Sequence, residues 1–146
     1  MKQTTYSFLD SVFVFSHPSH PVPISVVGEG AGSLTVAYDE VRTAMEVAAD
    51  GAVMVSKQAG NTGTVQIQVL QTSTVHKELL RLFNQLVAAS PGEWAQGSIT
   101  MKNITDGTGH YCTGVAFQKI PDKAYAKQGG NITWTLMCAD ILSLTN

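Results

Sequence analysis

The sequence predicts a mainly β domain, an antiparallel barrel or sandwich with one flanking α-helix at about residues 74–89. Three observations predict it. From Thr64 to Val69 the residues alternate: Val65, Ile67 and Val69 fall on one side, Thr64, Gln66 and Gln68 on the other. That is the period of a half-buried strand. Directly afterwards the period changes, and Val75, Leu79, Leu80, Leu82, Phe83, Leu86 and Val87 recur at helical spacing opposite Lys77, Arg81, Asn84 and Gln85. Elsewhere, short apolar runs are separated at short intervals by Gly-, Pro- and Asn-bearing turn signals, as in antiparallel domains. The helix is then a lid on a sheet.

Taken in order, Tyr6 to Phe15 reads as a first strand, with large apolar groups on both faces. Ser16 to Pro23 (SHPSHPVP) is a loop, since proline cannot donate to a ladder. Ile24 to Val27 is a short strand, GEGAG at 28–32 a turn, and Leu34, Val36 and Tyr38 one face of the next strand. Between Glu40 and Val55 a weak helical pattern competes with Asp50-Gly51, a hairpin signal between two apolar runs, and the hairpin is favoured. The helix has N-cap candidates in Thr72, Ser73 and Thr74, with Glu78 expected in its first turn, and Ser90-Pro91-Gly92 stops it. Strands follow at Ser98–Ile104 and His110–Gln118, around a turn at Asp106 to Gly109. A lysine-bearing connection at Pro121–Gln128 leads to a last long strand, Asn131–Leu142, with Ile132, Trp134 and Leu136 on one face.

A chain of 146 residues fits one domain, 1–146, and can bury a core without metals or disulfides. A net charge of −2 with 14% charged residues excludes a strongly basic nucleic-acid binder, and 44% apolar content argues against disorder. Low charge also fits a chain with much surface covered in an assembly. Cys112 and Cys138 lie in apparent strands without CxxC spacing and read as buried small hydrophobes. The first fifteen residues alternate, are interrupted by Asp10 and are followed by no small-residue cleavage site. No signal peptide, no membrane span and a reducing compartment during synthesis are therefore expected.

No catalytic or cofactor-binding constellation emerges, and neither an enzyme nor a cofactor is expected. His17 and His20 sit beside prolines in a predicted exposed loop and lack the further ligands a metal needs. GEGAG precedes a strand rather than opening a helix, so it is a turn and not a phosphate loop. The sequons Asn103-Ile104-Thr105 and Asn131-Ile132-Thr133 fall on or beside strands. Two charge clusters remain: Asp39, Glu40, Glu46 and Asp50, and Lys119, Lys123 and Lys127 at every fourth residue. Each is either a solvated face or one half of a complementary pair of interface patches.

Ordered blocks carry a resemblance. TYSFLD at 5–10, Ala49-Asp50-Gly51, Ser56, GTVQIQVL at 63–70, Thr72-Ser73, AFQK at 116–119, Pro121, Tyr125-Ala126-Lys127, Gly129-Gly130 and Trp134-Thr135 follow one another. In order and spacing they resemble the tail tube proteins of contractile-tailed bacteriophages; the loop at Ser16–Pro23 departs from that pattern. The resemblance implies homo-hexameric rings stacked into a hollow tube in the virion tail, assembled in the host cytoplasm. It also implies a surrounding contractile sheath, an enclosed tape-measure protein, baseplate contacts and transient passage of DNA. Gln66 and Gln68 are then candidates for the bore. A lining of Thr, Ser and Gln suits a conduit, since Lys and Arg would hold the phosphates. The charge clusters become candidate subunit or ring interfaces. Two alternatives stay open: the tube of a phage-derived contractile injection system, and a stand-alone β-sandwich binding module using Trp94 or Trp134.

Overall fold

Alternating apolar residues need a facing layer, and antiparallel neighbours supply it along most of the chain. The computed structural model describes residues 3–7, 10–20, 23–26, 31–105 and 107–145. The elements are β1 (Ser11–Ser16), β2 (Ile24–Val26), β3 (Ala31–Tyr38), β4 (Thr43–Val47), β5 (Val53–Lys57), β6 (Gly63–Leu70), α1 (Thr74–Ala88), β7 (Gly97–Asn103), β8 (Gly109–Phe117) and β9 (Asn131–Leu144). Seven strands form one sheet in the order β2-β1-β7-β8-β9-β6-β3, with every neighbouring pair antiparallel. The pair β4-β5 stands apart as a hairpin.

The expected antiparallel fold with one flanking helix is present, as a curled sheet forming a half-barrel. Its two sides approach across a cleft of about 320 Å³ lined by Tyr6, Val12, Leu34, Val36, Met101 and His110, among others. At the end of this cleft Tyr38 on β3 bonds to Ser143 on β9, and His110 Nδ1 on β8 lies 3.2 Å from both hydroxyls. These bonds tie edge strand β3 to the middle of the sheet.

The core lies between the sheet and α1. Val65, Ile67 and Val69 are fully buried, with Trp134, Leu136, Phe13, Ile99 and the helix residues Leu79, Leu82 and Leu86. Phe83, Phe117 and Trp134 pack edge to face or tilted with centroids 5.5–6.4 Å apart, a geometry that aromatic quadrupoles favour. Ser73 caps the helix by accepting the His76 N–H. Glu78 falls one turn too late to act on the first-turn dipole, and Val87 faces solvent instead of joining the stripe.

The first strand also differs. Regular pairing begins at Ser11, not Tyr6, and Phe8 and Leu9 lie outside the described residues. Phe13 and Phe15 are buried, but Val12 and Val14 are only half-buried, so one face serves the core. The Ser16–Pro23 loop is not simply exposed. His17 is buried; its Nε2 lies 2.8 Å from the Glu93 carbonyl, and its Nδ1 accepts from the Ser19 N–H. Gln85 of α1 donates to the Ser19 carbonyl at 2.8 Å. With both ring nitrogens engaged, His17 staples the loop to the 3₁₀ turn Pro91–Glu93. Of GEGAG, residues 28–30 lie outside the described residues and Ala31-Gly32 open β3; Asp106 likewise lies outside.

One bend organises the long strands. Gly114 has φ +63°, and the β7–β8 register shifts there. An extra residue in one strand flips the alternation beyond it. Cys112 and Val115 are therefore both buried, as are Cys138 and Ile141 on β9. A Cβ at 114 would stand 2.7 Å from the Ala139 Cβ, so both backbone and space require glycine. Cys112 and Cys138 are free thiols whose sulfurs are hydrogen-bonded; that bond, then burial, pushes Cys138 far up.

Buried His76 supplies a pH prediction. Its Nδ1 accepts from Trp134 Nε1 at 3.1 Å, and burial, then the Lys123 charge, pushes its pKa below the usual imidazole range. An unfolded chain takes up this proton near pH 6.5, whereas the folded chain resists it. Stability should be complete above pH 6.5 and fall as the pH drops from there through the folded value. The melting temperature should drop on the order of a few degrees more between pH 7 and 5.5 in wild type than in His76→Gln, whose amide oxygen can accept the indole N–H. Equal slopes would show that another group carries the acid response.

Candidate functional site

Two surfaces and two ends carry the candidate residues. The sheet face opposite α1 is the first surface. Cross-strand register places Gln66 beside Thr135 and Thr35, and Gln68 beside Thr133 and Ser33. Ser33 donates to the Gln68 side chain at 3.3 Å. Gln66 is exposed and Gln68 half-exposed, both away from the core. Thr100 and Ser98 of β7 extend the same polar character across the sheet. Residues far apart in sequence thus form one wall of mostly neutral hydrogen-bonding groups, with Lys102 and Asp140 as its charges and Tyr111, Met137 and Leu142 as apolar exceptions.

The charge clusters lie at opposite ends of β6. Asp39 and Glu40 follow β3 and stand beside the start of β6, where the Asp39 N–H donates to the Thr62 carbonyl and Glu40 accepts from Thr62 Oγ1. Glu46 lies on β4. Asp50 shapes the hairpin turn, accepting from the Ala52 N–H at 2.9 Å, with Gly51 at φ +89°. Arg42 braces the base by bonding to Asn61, and Lys57 pairs opposite Thr43, so two cations share this acidic end.

Lys119, Lys123 and Lys127 all lie on the connection at 118–130, at the far end of β6. Gln71 clips that connection down. Its backbone N–H donates to the Gly130 carbonyl, its Nε2 donates to the Ala124 carbonyl at 3.1 Å, and its Oε1 accepts from the Gly130 N–H. Eight residues of β6 put roughly 24 Å between the two ends.

The β4-β5 hairpin was legible as a hairpin but not as an arm. Every residue of it is exposed except half-buried Ser56. Met45 pairs with Val55 and Val47 with Val53, which makes the outer part of one face apolar, with the Thr43–Lys57 pair on the same face at its base. The four apolar residues are 54–69% exposed. Their alternation was the signal that could have found this face. Tyr125, 86% exposed with Lys123 Nζ 5.0 Å from its ring centre, was also missed, because nothing in its flanks shows a period. Trp134 is fully buried and Trp94 packs edge-on to Phe83 at 6.0 Å, so neither offers a binding platform. Among the described residues no group of three or more His, Cys, Asp or Glu could hold a metal, and no helix is long and apolar enough to cross a membrane.

A curled sheet with a dry helical side, a wet neutral side and a free arm at one end defines a structural, wall-building β subunit. The chain belongs to the family described as the bacteriophage PhiTE tail tube protein, whose model matches residues 3–145. It is a tail tube-like protein of phages or phage-derived contractile systems. The curated proteins contain no significant match. Among solved structures, the chain is similar to one in the six-fold symmetrised baseplate of the anti-feeding prophage, at TM-score 0.69 and 10% identity, covering 99% of this chain and 98% of that one. It is similar to one in the anti-feeding prophage cap, at TM-score 0.57 and 11% identity, covering 100% and 94%. A third is in the extended sheath–tube complex of the extracellular contractile injection system PVC, at TM-score 0.54 and 13% identity, covering 92% and 88%. At these identities the likeness is one of fold.

Proposed function

We propose that the chain, as one tail-tube domain over 1–146, forms six-membered rings that stack into the inner tube of a contractile tail. The contiguous neutral face around Gln66 and Gln68 carries this reading. Turned inward, it lines a bore that offers hydrogen bonds but almost no fixed positive charge, so a polyanion passes without being held. The α1 side then faces outward toward a contractile sheath. Rings enclose the tape-measure protein during assembly in the host cytoplasm, rest on the baseplate and later conduct DNA. The acidic arm end and the lysine-bearing end suit head-to-tail stacking, since unlike surfaces in contact propagate rather than close. The tube of a phage-derived injection machine is the second reading, favoured by the likeness to the prophage and PVC particles. It has the same wall and a different cargo.

Purified protein should sediment as rings or longer assemblies at high concentration, with six-fold ring views in negative stain. A compact monomer at every concentration and salt, with no rings by microscopy, overturns the proposal and returns the stand-alone β-sandwich module to first place.

A further inference from the structure

We propose that His76 is a proton-operated latch for the 118–130 connection: neutral, it holds the Trp134 indole; protonated, it drops the indole, repels Lys123 and frees the lysine-bearing end of the subunit. The latch itself lies within one chain; its effect on stacking rests on the tube reading. The first observation is the bond. His76 is buried in the first turn of α1, and its Nδ1 accepts the indole N–H of fully buried Trp134 at 3.1 Å. An imidazole nitrogen accepts only while it carries no hydrogen. With Nδ1 as acceptor, the ring's hydrogen is on Nε2, and a second proton can enter only at Nδ1. It displaces the indole N–H and leaves a buried donor without an acceptor.

The second observation is the charge around the ring. The start of α1 is the positive end of its dipole. Of the charged residues on the connection, Lys123 is the one that bears on His76, and it too is a cation. On the helix, Lys77 is exposed, and Glu78 stands two residues on, roughly 200° around the axis, so its carboxylate does not offset an imidazolium. β9 presents neutral Trp134, and the β6–α1 junction presents neutral Ser73, whose hydroxyl accepts the His76 backbone N–H. A proton on His76 therefore meets like charge and no counter-charge.

The third observation is how lightly the connection is held. Residues 122–130 are all exposed and form neither helix nor strand. The Gln71 side chain is their clip: Nε2 donates to the Ala124 carbonyl at 3.1 Å and Oε1 accepts from the Gly130 N–H at 3.3 Å. Ala124 directly follows Lys123, so a push on Lys123 acts on that bond. Trp134 lies on the strand that the connection feeds, so losing the indole bond loosens the connection from its other side. Segments with few buried contacts open before the core does. In acid the connection opens first, and the basic end that faces the next ring loses its shape.

Fluorescence titration tests the latch. The chain has two tryptophans, so Trp94→Phe leaves Trp134 as the sole indole. An imidazolium quenches an adjacent indole more strongly than a neutral imidazole does. The expected result is a reversible drop in Trp134 emission with a midpoint below the ordinary imidazole value of 6.5, absent when His76→Gln is added. Lys123→Gln should move that midpoint upward by roughly a few tenths of a pH unit, because it removes the like charge. Where His76→Gln fails to fold, the exposed Lys123→Gln change carries the test. A drop that persists in His76→Gln, or a midpoint that Lys123→Gln leaves unmoved, overturns the latch. Emission lost together with the circular dichroism of the sheet means global acid unfolding and also overturns it. In negative stain at about pH 5.5, wild-type tubes should be shorter than those of His76→Gln, with equal lengths at neutral pH. Equal lengths in acid overturn the effect on stacking. A wild type that forms no tubes at any pH overturns the tube reading, and the titration still decides the latch.

Discussion

Ile67→Asp should abolish folding, whereas Gln68→Asp, one residue away, should fold and assemble. Ile67 is fully buried at the centre of β6, opposite Trp134 on β9 and Leu34 on β3. A carboxylate there loses its water and gains no partner, at an effective cost of several kcal/mol beyond the lost packing. A domain of this size has only about 5–15 kcal/mol to lose. The partners of Gln68 are the Ser33 hydroxyl and open solvent, so an acid at 68 keeps its hydration. Circular dichroism and thermal melting separate the outcomes for folding; negative stain reads assembly of the second variant. A folded Ile67→Asp protein would mean that the faces of β6 are reversed, and the assignment of Gln66 and Gln68 to the bore would fall with it.

That contrast was readable from sequence because β6 alternates without interruption, and burial demands alternation wherever one face of a strand is wet. The helix was legible for the same reason at a different period. What failed were positions set by tertiary context. His17 looked like a loop histidine because local sequence cannot show the Glu93 carbonyl, 76 residues away, that its Nε2 reaches. The flip of faces at Gly114 was hidden in a run that still reads as strand; a lone glycine inside such a run is the available signal for a bulge. Both charge clusters were visible as residues, but their separation to opposite ends of β6 follows from the path of β3, β6 and the 118–130 connection.

Reversing one charge at either end should shorten or abolish tubes while leaving the fold intact. Glu46 and Lys123 are the informative pair. Glu40 accepts a bond from Thr62 and Asp50 builds the arm's turn, so changing either would disturb the arm as well as its charge. Glu46 instead sits mid-strand, exposed, opposite Met54. Lys123 is exposed on the connection beside Tyr125. An exposed ion pair contributes only roughly 0–1 kcal/mol. Six-fold repetition raises that to at most about 6 kcal/mol per ring junction, enough to decide polymerisation but absent from the folding of a single subunit. Lys123→Glu and Glu46→Lys should each reduce tube length in negative stain, with melting temperatures close to wild type. The double reversal should recover part of the length, because opposite charges again face each other. Wild-type tubes should themselves shorten near 1 M salt, where the Debye length falls to about 3 Å. Normal tubes from both single reversals would leave hydrophobic contacts to carry the stacking, and the clusters would be ordinary solvated surface.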